Sequence, residues 1–309
     1  MILCLGTTPA AQRVLRFSRL TLDAVNRATV TLDGIAGKAV NVAKVLHALG
    51  ERPLATGFLG GARGAAIRTA LAAREIESEF VTVAAGTREC VTVIDESAGT
   101  HTELVEESSP ADPADFVRLL AIVRRRMSDC RAAVMSGTIA PGGPADLYAQ
   151  CVQIAHEASA LAIVDAQGPA LVAALSAGPD LVKPNRAELA ATVGRELTDE
   201  RAVLTAMREL AGRGARRVVV TAGSEPTLAF DGTRVWRIRS PRLVARNPIG
   251  SGDAFTAGLV WRLVRGDDLG EASRWGSAAG AANTLTWMAG EVHRFEVERL
   301  AREIALEPL

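Results

Sequence analysis

The segment best suited to chemistry is Gly250-Ser251-Gly252-Asp253, which directly precedes an apolar run of helical period. Glycines before a helix allow backbone N–H groups to converge on an anion, and the helix dipole adds a favourable potential. An aspartate beside such an anion site could take the proton from a hydroxyl group that attacks a phosphoryl group. The alternative interpretation is a plain glycine turn in which Asp253 is the N-cap of the helix.

A second segment, residues 34–50, predicts a helix over Val40–Leu49. Lys38 and Asn41 would lie in its first turn, directly after Gly37, where they could bind a polar ligand. The segment is not a Walker A loop, since that loop has four residues between its glycines and Ser or Thr after the lysine. A loop-to-helix transition with a solvated Lys38 is the alternative interpretation.

A third segment, residues 180–189, predicts a strand that ends at Lys183 and a helix capped by Asn185. Asn185 and Glu188 are three residues apart and face one side of the helix, which is also the pattern of a structural capping box. Ligands bind at the carboxyl ends of strands in open parallel sheets, so several such loops together predict one site. Two further glycine-containing turns follow predicted strands, over residues 135–144 and 218–226.

The elements that must position these loops are short β-branched runs alternating with Ala- and Leu-rich stretches of helical period. From about residue 130 to 222 the β-α-β-α order predicts a doubly wound, mostly parallel sheet with helices on both faces. We expect a single domain over 1–309, with a small β-rich lid from about 9–35 and 86–107; residues 20–35 resemble an exposed strand. From Asp253 onward the sequence pattern predicts helix almost throughout. The predicted strands are Ile2–Leu5, Thr29–Leu32, Leu54–Leu59, Phe80–Val83, Cys90–Ile94, Thr102–Val105, Ala132–Met135, Leu161–Val164, Leu181–Val182 and Arg217–Thr221. The predicted helices are Val40–Leu49, Ala65–Arg74, Pro113–Arg126, Pro144–Ala158, Arg186–Val193 and Glu200–Arg213.

Composition excludes several classes of protein. The 35 Lys and Arg residues balance 35 Asp and Glu residues, and aromatics are only 4%. The chain therefore has neither the basic field nor the aromatic stacking platform that would favour a nucleic-acid partner. No apolar run approaches the ~20 residues that span a bilayer, and the first residues lack a basic leader, so we expect a cytoplasmic protein without a membrane partner. The four cysteines and four histidines are isolated from one another and form no metal-ligand motif.

Only three residues of the chain are lysine, which makes each of them worth inspecting: Lys38, Lys44 and Lys183.

Taken in order, these segments resemble the PfkB/ribokinase family of sugar kinases. The resemblance covers roughly residues 2–305 and is best to the 1-phosphofructokinase/tagatose-6-phosphate kinase branch. GSGDAFTAG at 250–258 is similar to the C-terminal signature of the family, and AGKAVNVAKVLHALG at 36–50 to the N-terminal one. The other segments that resemble this branch are VNR at 25–27, TRE at 87–89, SGTIAPGGP at 136–144 and KPNRAEL at 183–189.

The resemblance implies a ribokinase-like fold and an ATP- and Mg²⁺-dependent transfer of a phosphoryl group to a hydroxyl of a sugar or sugar phosphate. It also implies a homodimer formed through the lid. Asp253 would be the catalytic base, and the amides of Gly250, Ser251 and Gly252 would bind the transferring group. Glu188 would lie near the magnesium ion, and Arg88, with Arg27, would meet a phosphate already on the acceptor. The nucleotide side would be formed by Lys183, Asn185, Glu188, Thr221, Gly223, Gly252, Ala279 and Asn283. The acceptor side would be formed by Gln12, Arg27, Gly37, Lys38, Asn41, Arg88, Ser136 and Asp253.

Two departures from the family pattern fall on the acceptor side. Gln12 stands where relatives have an aspartate that holds sugar hydroxyls, and a neutral amide offers one acceptor and one donor group in place of a carboxylate. The usual GGKG is Ala36-Gly37-Lys38-Ala39, which would add two methyl groups beside the acceptor. A non-catalytic sugar- or nucleotide-binding regulator, and a kinase for a nucleoside or other small acceptor, remain alternatives. A nicotinamide dehydrogenase is disfavoured, since no strand is followed by the dinucleotide fingerprint.

Overall fold

The computed structural model describes residues 1–309 as fourteen strands and ten helices that largely alternate. The strands are β1 Ile2–Gly6, β2 Ala10–Phe17, β3 Val30–Ala36, β4 Pro53–Leu59, β5 Glu77–Thr82, β6 Arg88–Asp95, β7 Thr100–Val105, β8 Ala132–Ser136, β9 Leu161–Asp165, β10 Leu181–Val182, β11 Val218–Ala222, β12 Glu225–Phe230, β13 Val235–Arg239 and β14 Ala305–Pro308. The helices are α1 Lys38–Ala48, α2 Gly61–Ala73, α3 Pro113–Met127, α4 Leu147–Glu157, α5 Gly168–Leu175, α6 Arg186–Val193, α7 Glu200–Gly212, α8 Ser251–Leu263, α9 Leu269–Thr284 and α10 Arg294–Glu303.

Ten strands form the main sheet in the order β14-β13-β12-β11-β10-β9-β8-β1-β4-β5. The pairs from β11 through β5 are parallel, whereas β12, β13 and β14 form an antiparallel edge. Strands such as β1 and β8 are buried along their whole length, as expected for a sheet covered on both faces. The predicted doubly wound, mostly parallel sheet is therefore confirmed.

Two apolar clusters of similar size cover the two faces of the main sheet. One contains 42 buried residues, with side chains from α3, α4, α5, α6 and α7, including Phe116, Tyr148 and Leu210. The other contains 41, with side chains from α1, α2, α8, α9 and α10, including Leu46, Phe255 and Leu300. The second layer matters most for function, because α1 and α8 pack together with their N-termini at the carboxyl edge of the sheet.

A separate four-stranded sheet, here called the lid, has the order β3-β2-β6-β7. Its strands come from residues 10–36 and 88–105, with β2 parallel to β6 and the other pairs antiparallel. The chain between β2 and β3 forms no strand over residues 20–29, so the expectation of an exposed strand over 20–35 was wrong for its first half. A polar sequence containing Asp23 and Asn26 favours turns there, and Asn26 donates to the carbonyl oxygens of Thr21 and Ala24.

Other differences from the sequence prediction lie at the edges of the main sheet. The hairpin of β12 and β13 and the terminal strand β14 were not predicted, nor were β2 and α5. Helix α4 begins at Leu147 rather than Pro144, because Pro144–Leu147 forms a turn closed by the Leu147 N–H on the Pro144 carbonyl at 3.1 Å. No helix in the structure is both long and apolar enough to cross a bilayer.

Candidate active site

A cavity of about 400 Å³, here called the central cavity, lies between the lid and the carboxyl ends of the main-sheet strands. Its walls come from the first turns of α1, α6 and α8 and from lid strands β2, β3, β6 and β7. The predicted loops thus meet at one edge of the sheet. The predicted site residues that line the cavity are Gln12, Gly37, Lys38, Asn41, Arg88, Lys183, Asn185, Glu188, Thr221, Gly250, Ser251, Gly252 and Asp253.

Helix α8 begins in the glycine-rich segment that the sequence singled out. Gly250 is its N-cap, with a φ of 83° that few other residues adopt, and a Cβ there would lie 2.8 Å from the Cβ of Ala289. Gly252 lines the cavity, and a Cβ added to it would meet no atom within 4 Å. Asp253 lies in the first helical turn and no side chain caps the helix. The N-cap interpretation of Asp253 is therefore wrong. The Ser251 N–H donates to the Pro248 carbonyl at 3.2 Å, so the first turn has no side-chain cap but one of its N–H groups is occupied.

The Asp253 carboxylate is buried at the base of the cavity, with 7% of its surface exposed. Its Oδ2 accepts a hydrogen bond of 2.8 Å from Nδ2 of Asn41 in α1. Burial raises the pKa of Asp253 to about 6, while the ammonium of Lys38 and the Asn41 hydrogen bond oppose that rise and Asp165 adds to it. A carboxylate with its pKa near neutrality suits general-base work at physiological pH.

Asp165 is a central residue that the sequence analysis missed. It ends β9, is 1% exposed, and approaches two ammonium groups: Oδ2 lies 3.2 Å from Nζ of Lys183 and Oδ1 lies 3.5 Å from Nζ of Lys38. Thr256 in α8 donates to Oδ2 across 2.8 Å. Burial would raise the pKa of Asp165, but the two lysines outweigh it and the pKa is lowered. An acidic residue at the carboxyl end of a buried parallel strand was the available signal.

All three lysines of the chain lie in or beside the site. Asp165 is the main cause of a raised pKa at Lys38, which keeps that ammonium charged. Lys44, two turns along α1, is buried and donates to the carbonyl oxygens of Ile35 and Ala289 at 2.9 and 2.6 Å. Burial lowers the pKa of Lys44 to about 8. Lys44 thus ties α1 to the segment that packs against Gly250, and the scarcity of lysine was an informative signal.

The predicted pair Asn185 and Glu188 forms the capping box of α6. The Asn185 N–H donates to Oε2 of Glu188 and the Glu188 N–H donates to Oδ1 of Asn185, both at 2.8 Å. Asn185 and Thr221 also pair as a bridge between neighbouring strand ends and line a second cavity of about 600 Å³, here called the outer cavity. Gly223 lines this outer cavity. The two cavities therefore meet at Asn185 and Thr221.

Two of the expected acceptor residues, Gln12 and Arg88, lie on the lid side of the central cavity. Gln12 is 2% exposed and its Oε1 is buried without a hydrogen-bond partner. Arg88 donates to the carbonyl oxygens of Thr8 and Glu106 at 3.0 and 3.2 Å. Glu103 on β7 also lines this wall, which the sequence analysis missed, and burial raises its pKa while Arg88 opposes the rise.

Four expected site residues do not line either cavity. Arg27 is exposed in the loop between β2 and β3. Ser136 is buried at the end of β8, and the adjacent Gly137, not Ser136, packs on the Lys38 side chain. Ala279 and Asn283 are buried in α9.

Asn283 does not line a cavity because its side chain bonds to two backbone segments on the core side of the site. Its Nδ2 donates to the Ile249 carbonyl at 2.9 Å, and its Oδ1 accepts from the Gly290 N–H at 2.8 Å. Ala39, expected beside the acceptor, is likewise buried, with its methyl facing Gly6. Of the two extra methyl groups, only that of Ala36 lines the cavity.

The acidic groups of the cavity allow a test for a magnesium ion. No group of three His, Cys, Asp or Glu side chains could hold a metal by itself, and Asp165 is neutralised by lysines. Mg²⁺, however, usually keeps waters and is held by one or two carboxylates together with substrate phosphates. Glu188 has its Oε1 3.8 Å from Lys38 Nζ, at the junction of the two cavities. The residues fit an ion that arrives with phosphate oxygens.

Phosphoryl transfer depends mainly on positioning and electrostatic stabilisation, and the central cavity combines the start of a helix with two ammonium groups and a buried carboxylate. The family model described as "pfkB family carbohydrate kinase" matches residues 1–290. The chain therefore belongs to the pfkB family of carbohydrate kinases and is a sugar phosphotransferase.

Individual relatives agree with this assignment. A tagatose-6-phosphate kinase of Staphylococcus epidermidis is 28% identical over 307 residues, covering 98% of both chains. The Escherichia coli phosphofructokinase-2 structure in complex with fructose-6-phosphate has a TM-score of 0.86 at 27% identity, covering 98% of this chain and 97% of its own. A Thermotoga maritima structure at 24% identity has a TM-score of 0.91, covers 100% of this chain and 99% of its own, and supports the fold. The predicted resemblance to this branch is confirmed.

Proposed function

We propose that this protein transfers the γ-phosphoryl group of ATP to a hydroxyl group of a sugar phosphate, with Asp253 as the general base. The observation that carries the proposal is the position of Asp253, buried in the first turn of α8 beside the N–H groups of that turn. A base and an anion site are thereby adjacent, which an in-line transfer from phosphate to hydroxyl requires.

The proton and the phosphoryl group move in a simple sequence. The acceptor hydroxyl loses its proton to the Asp253 carboxylate, and the new bond forms between the hydroxyl oxygen and the γ-phosphorus. The bond between the γ-phosphorus and the β–γ bridging oxygen breaks, and ADP leaves. The N–H groups of Gly250 and Gly252 and the ammonium of Lys38 stabilise the charge on the transferring group. The expected third amide, that of Ser251, already donates to the carbonyl oxygen of Pro248 at 3.2 Å. A bound magnesium ion, held by the nucleotide phosphates near Glu188, would neutralise phosphate charge.

The nucleotide is assigned to the outer cavity. Its base and ribose would occupy the space lined by Gly223, Ala222 and Ala190, and its phosphates would pass Asn185 and Thr221 into the central cavity. The cavity volume, about 600 Å³, is within the range of about 300–1,000 Å³ typical of small-molecule sites.

The acceptor is assigned to the lid side of the central cavity. Arg88 uses one N–H on each of Nε, Nη1 and Nη2 for backbone carbonyls, so two of its five N–H groups remain for a phosphate oxygen. Relatives named tagatose-6-phosphate kinase and a phosphofructokinase complexed with fructose-6-phosphate support a phosphorylated sugar. Because Gln12 stands where relatives have an aspartate, the acceptor of this protein should differ from the acceptors of those relatives in the arrangement of its hydroxyl groups.

A homodimer through the lid is a further part of the proposal. Strand β7 is an edge strand of the lid and exposes Leu104 and Val105, and the loop between β2 and β3 exposes Leu22 and Val25. An exposed edge with apolar side chains is typical of an interface. Leu104→Glu should shift the molar mass measured by light scattering towards the monomer, whereas an unchanged mass would exclude this interface.

The activity is tested by an ATP-consumption screen with Mg²⁺. The acceptors are fructose 1-phosphate, tagatose 6-phosphate, fructose 6-phosphate, free hexoses, ribose and nucleosides. Acceptor-dependent ADP release with a phosphorylated sugar supports the proposal. Release only with a nucleoside would reassign the acceptor, and saturable binding of sugar without any release would identify a non-catalytic regulator.

A further inference from the structure

A third cavity, of about 360 Å³, lies in the outer helical layer between α8, α9 and α10, away from the central cavity. Its walls carry two of the four tryptophans of the chain, Trp261 and Trp275, together with five arginines and a single acidic residue, Glu298. None of these residues takes part in the proposed phosphoryl transfer. We call it the arginine cavity.

The guanidinium groups of the arginine cavity stack on the indole rings. Trp261 and Trp275 meet edge to face with centroids 5.3 Å apart. Arg262 lies over the Trp275 ring at 4.8 Å and Arg265 lies over the Trp261 ring at 5.1 Å, while Arg294 approaches Trp261 from α10 at 5.8 Å. Stacking of this kind restricts the arginine side chains without using their N–H donors.

Carboxylates outside and at the rim of the cavity fix the same arginines further. Arg262 Nε pairs with Asp267 at 2.5 Å, and Arg294 Nε pairs with Glu298 at 2.8 Å. Each of these contacts uses one N–H, so most of the five donors of each guanidinium remain.

Two more of the arginines are paired in the same way, Arg274 with Glu271 at 2.6 Å and Arg265 with Glu51. Arg302 has no carboxylate partner within ion-pair distance. Five guanidiniums against these four carboxylates leave a formal net charge of +1.

Two further donors in this cavity are buried without an acceptor. They are the indole Nε1 of Trp261, a residue that is 3% exposed, and the Nε of Arg274. These two atoms have almost no accessible surface, so they do not face a ligand directly. The lining itself offers the remaining guanidinium N–H groups as donors and only the carboxylate of Glu298 as a charged acceptor. This excess of donors is complementary to a ligand made of acceptor oxygens.

We propose that the arginine cavity is a binding site for a compact polyanion that carries phosphate or carboxylate groups. Planar guanidinium groups match the oxygens of either group in pairs. Trp261 follows Asp253 by eight residues in the same helix, which places the two sites about 12 Å apart along α8. The site is therefore separate from the acceptor and nucleotide positions, and a ligand there would contact the helix that carries the proposed base.

The test uses tryptophan fluorescence as the readout, since Trp261 and Trp275 are two of the four tryptophans of the chain. Inorganic pyrophosphate and citrate are titrated separately into the full-length protein at low salt, with chloride at matched ionic strength as the reference. The double variant Arg294→Gln/Arg302→Gln removes two guanidiniums from exposed positions on α10. Arg299→Gln on the same helix is the matched control, because Arg299 pairs with Glu296 and Glu303 and does not line the cavity.

We expect a saturable fluorescence change in wild type and in Arg299→Gln, and binding weaker by about tenfold or more in the double variant, as for loss of at least one charge-assisted hydrogen bond. Response to pyrophosphate alone would specify phosphate groups, and response to both probes would specify polyanions in general. If pyrophosphate bound only at the glycine-rich turn of α8, the fluorescence change would be the same in all three proteins. No saturable change with either probe, or equal affinities in the double variant and Arg299→Gln, would overturn the proposal.

Discussion

Asn41 donates a hydrogen bond of 2.8 Å to Oδ2 of Asp253, although 212 positions of the chain separate the two residues. The bond joins the first turn of α1 to the first turn of α8. One carboxylate oxygen is thereby occupied, which leaves Oδ1 to accept a proton. Because the amide donates to the ionised form, it also limits the rise in pKa that burial causes at Asp253.

The raised pKa of Asp253 predicts that the site is maintained at a cost in stability. The folded-state pKa of about 6 exceeds the usual 3.8, so the folded state holds the proton more tightly, and stability is lost as pH rises through this window. At pH 8 the loss amounts to about 3 kcal/mol. Asp253→Asn should therefore increase the free energy of unfolding at pH 8, and the gain should fall to about half at pH 5. Denaturant unfolding at both pH values measures this, and a gain that is equal at both would contradict the burial argument.

The two glycines that flank Ser251 should respond in opposite ways to alanine. A methyl group at 252 meets no atom within 4 Å but takes space in the central cavity, so Gly252→Ala should keep its melting temperature and lose kcat by about 10²-fold or more. Gly250→Ala needs a left-handed backbone and places its Cβ against Ala289 and Gly290, so it should be destabilised by about 1–3 kcal/mol. Thermal melts and initial rates on both variants separate the effects. A destabilised Gly252→Ala with intact kcat would be inconsistent with the anion site.

Arg88 is expected to bind the phosphate of the acceptor. Arg88→Ala should raise KM for a phosphorylated sugar by about 10- to 100-fold, the equivalent of about 1.5–3 kcal/mol for a charged hydrogen bond. Arg13→Ala is the matched control, because Arg13 lies on the outer face of the lid and pairs with Asp33. A merely structural role for Arg88, through its bonds to Thr8 and Glu106, would raise KM equally for an unphosphorylated acceptor.

Gln12 and Ala36 should determine which acceptor is preferred. Both line the central cavity, so the wild type should show weak activity on fructose 1-phosphate and tagatose 6-phosphate. Gln12→Asp with Ala36→Gly should shift kcat/KM towards these ketohexose phosphates, and the single variants are measured too because neighbouring residues couple. Ala39→Gly is the control, since its methyl faces Gly6 and not the cavity. Wild-type kcat/KM above ~10⁴ M⁻¹s⁻¹ on fructose 1-phosphate would show that Gln12 is a tolerated substitution.

A strand or helix could be predicted wherever its local sequence pattern matched its burial in the fold. Continuous apolar strands such as β8 and β9 and the capping box of α6 were readable because their signals are short-range. The hairpin of β12 and β13 was missed, since nothing in the local pattern says that it extends the main sheet as an antiparallel edge. Pairing of that kind is decided by contacts far apart in sequence.

The site was predictable at its loops and less so behind them. Glycine-rich turns and scarce lysines mark Gly250, Lys38 and Lys183 from sequence alone. Asp165 carries no motif, and its importance depends on two distant lysines, Lys38 at the start of α1 and Lys183 directly after β10. Asn283 was assigned to the nucleotide, whereas its side chain holds the segments around Ile249 and Gly290 in place. Sequence order identifies which segments meet, but not whether a side chain faces the cavity or the core.

The central claim is that Asp253 removes a proton during phosphoryl transfer from ATP to a sugar phosphate. The most direct measurement follows ATP, ADP and the phosphorylated product by phosphorus NMR, with the best acceptor, for wild type and Asp253→Asn. We expect one phosphorylated product per ADP from the wild type and a rate lower by about 10²–10⁴-fold in the variant, with nucleotide affinity nearly unchanged. A variant that forms the same product at a near-wild-type rate would contradict the account.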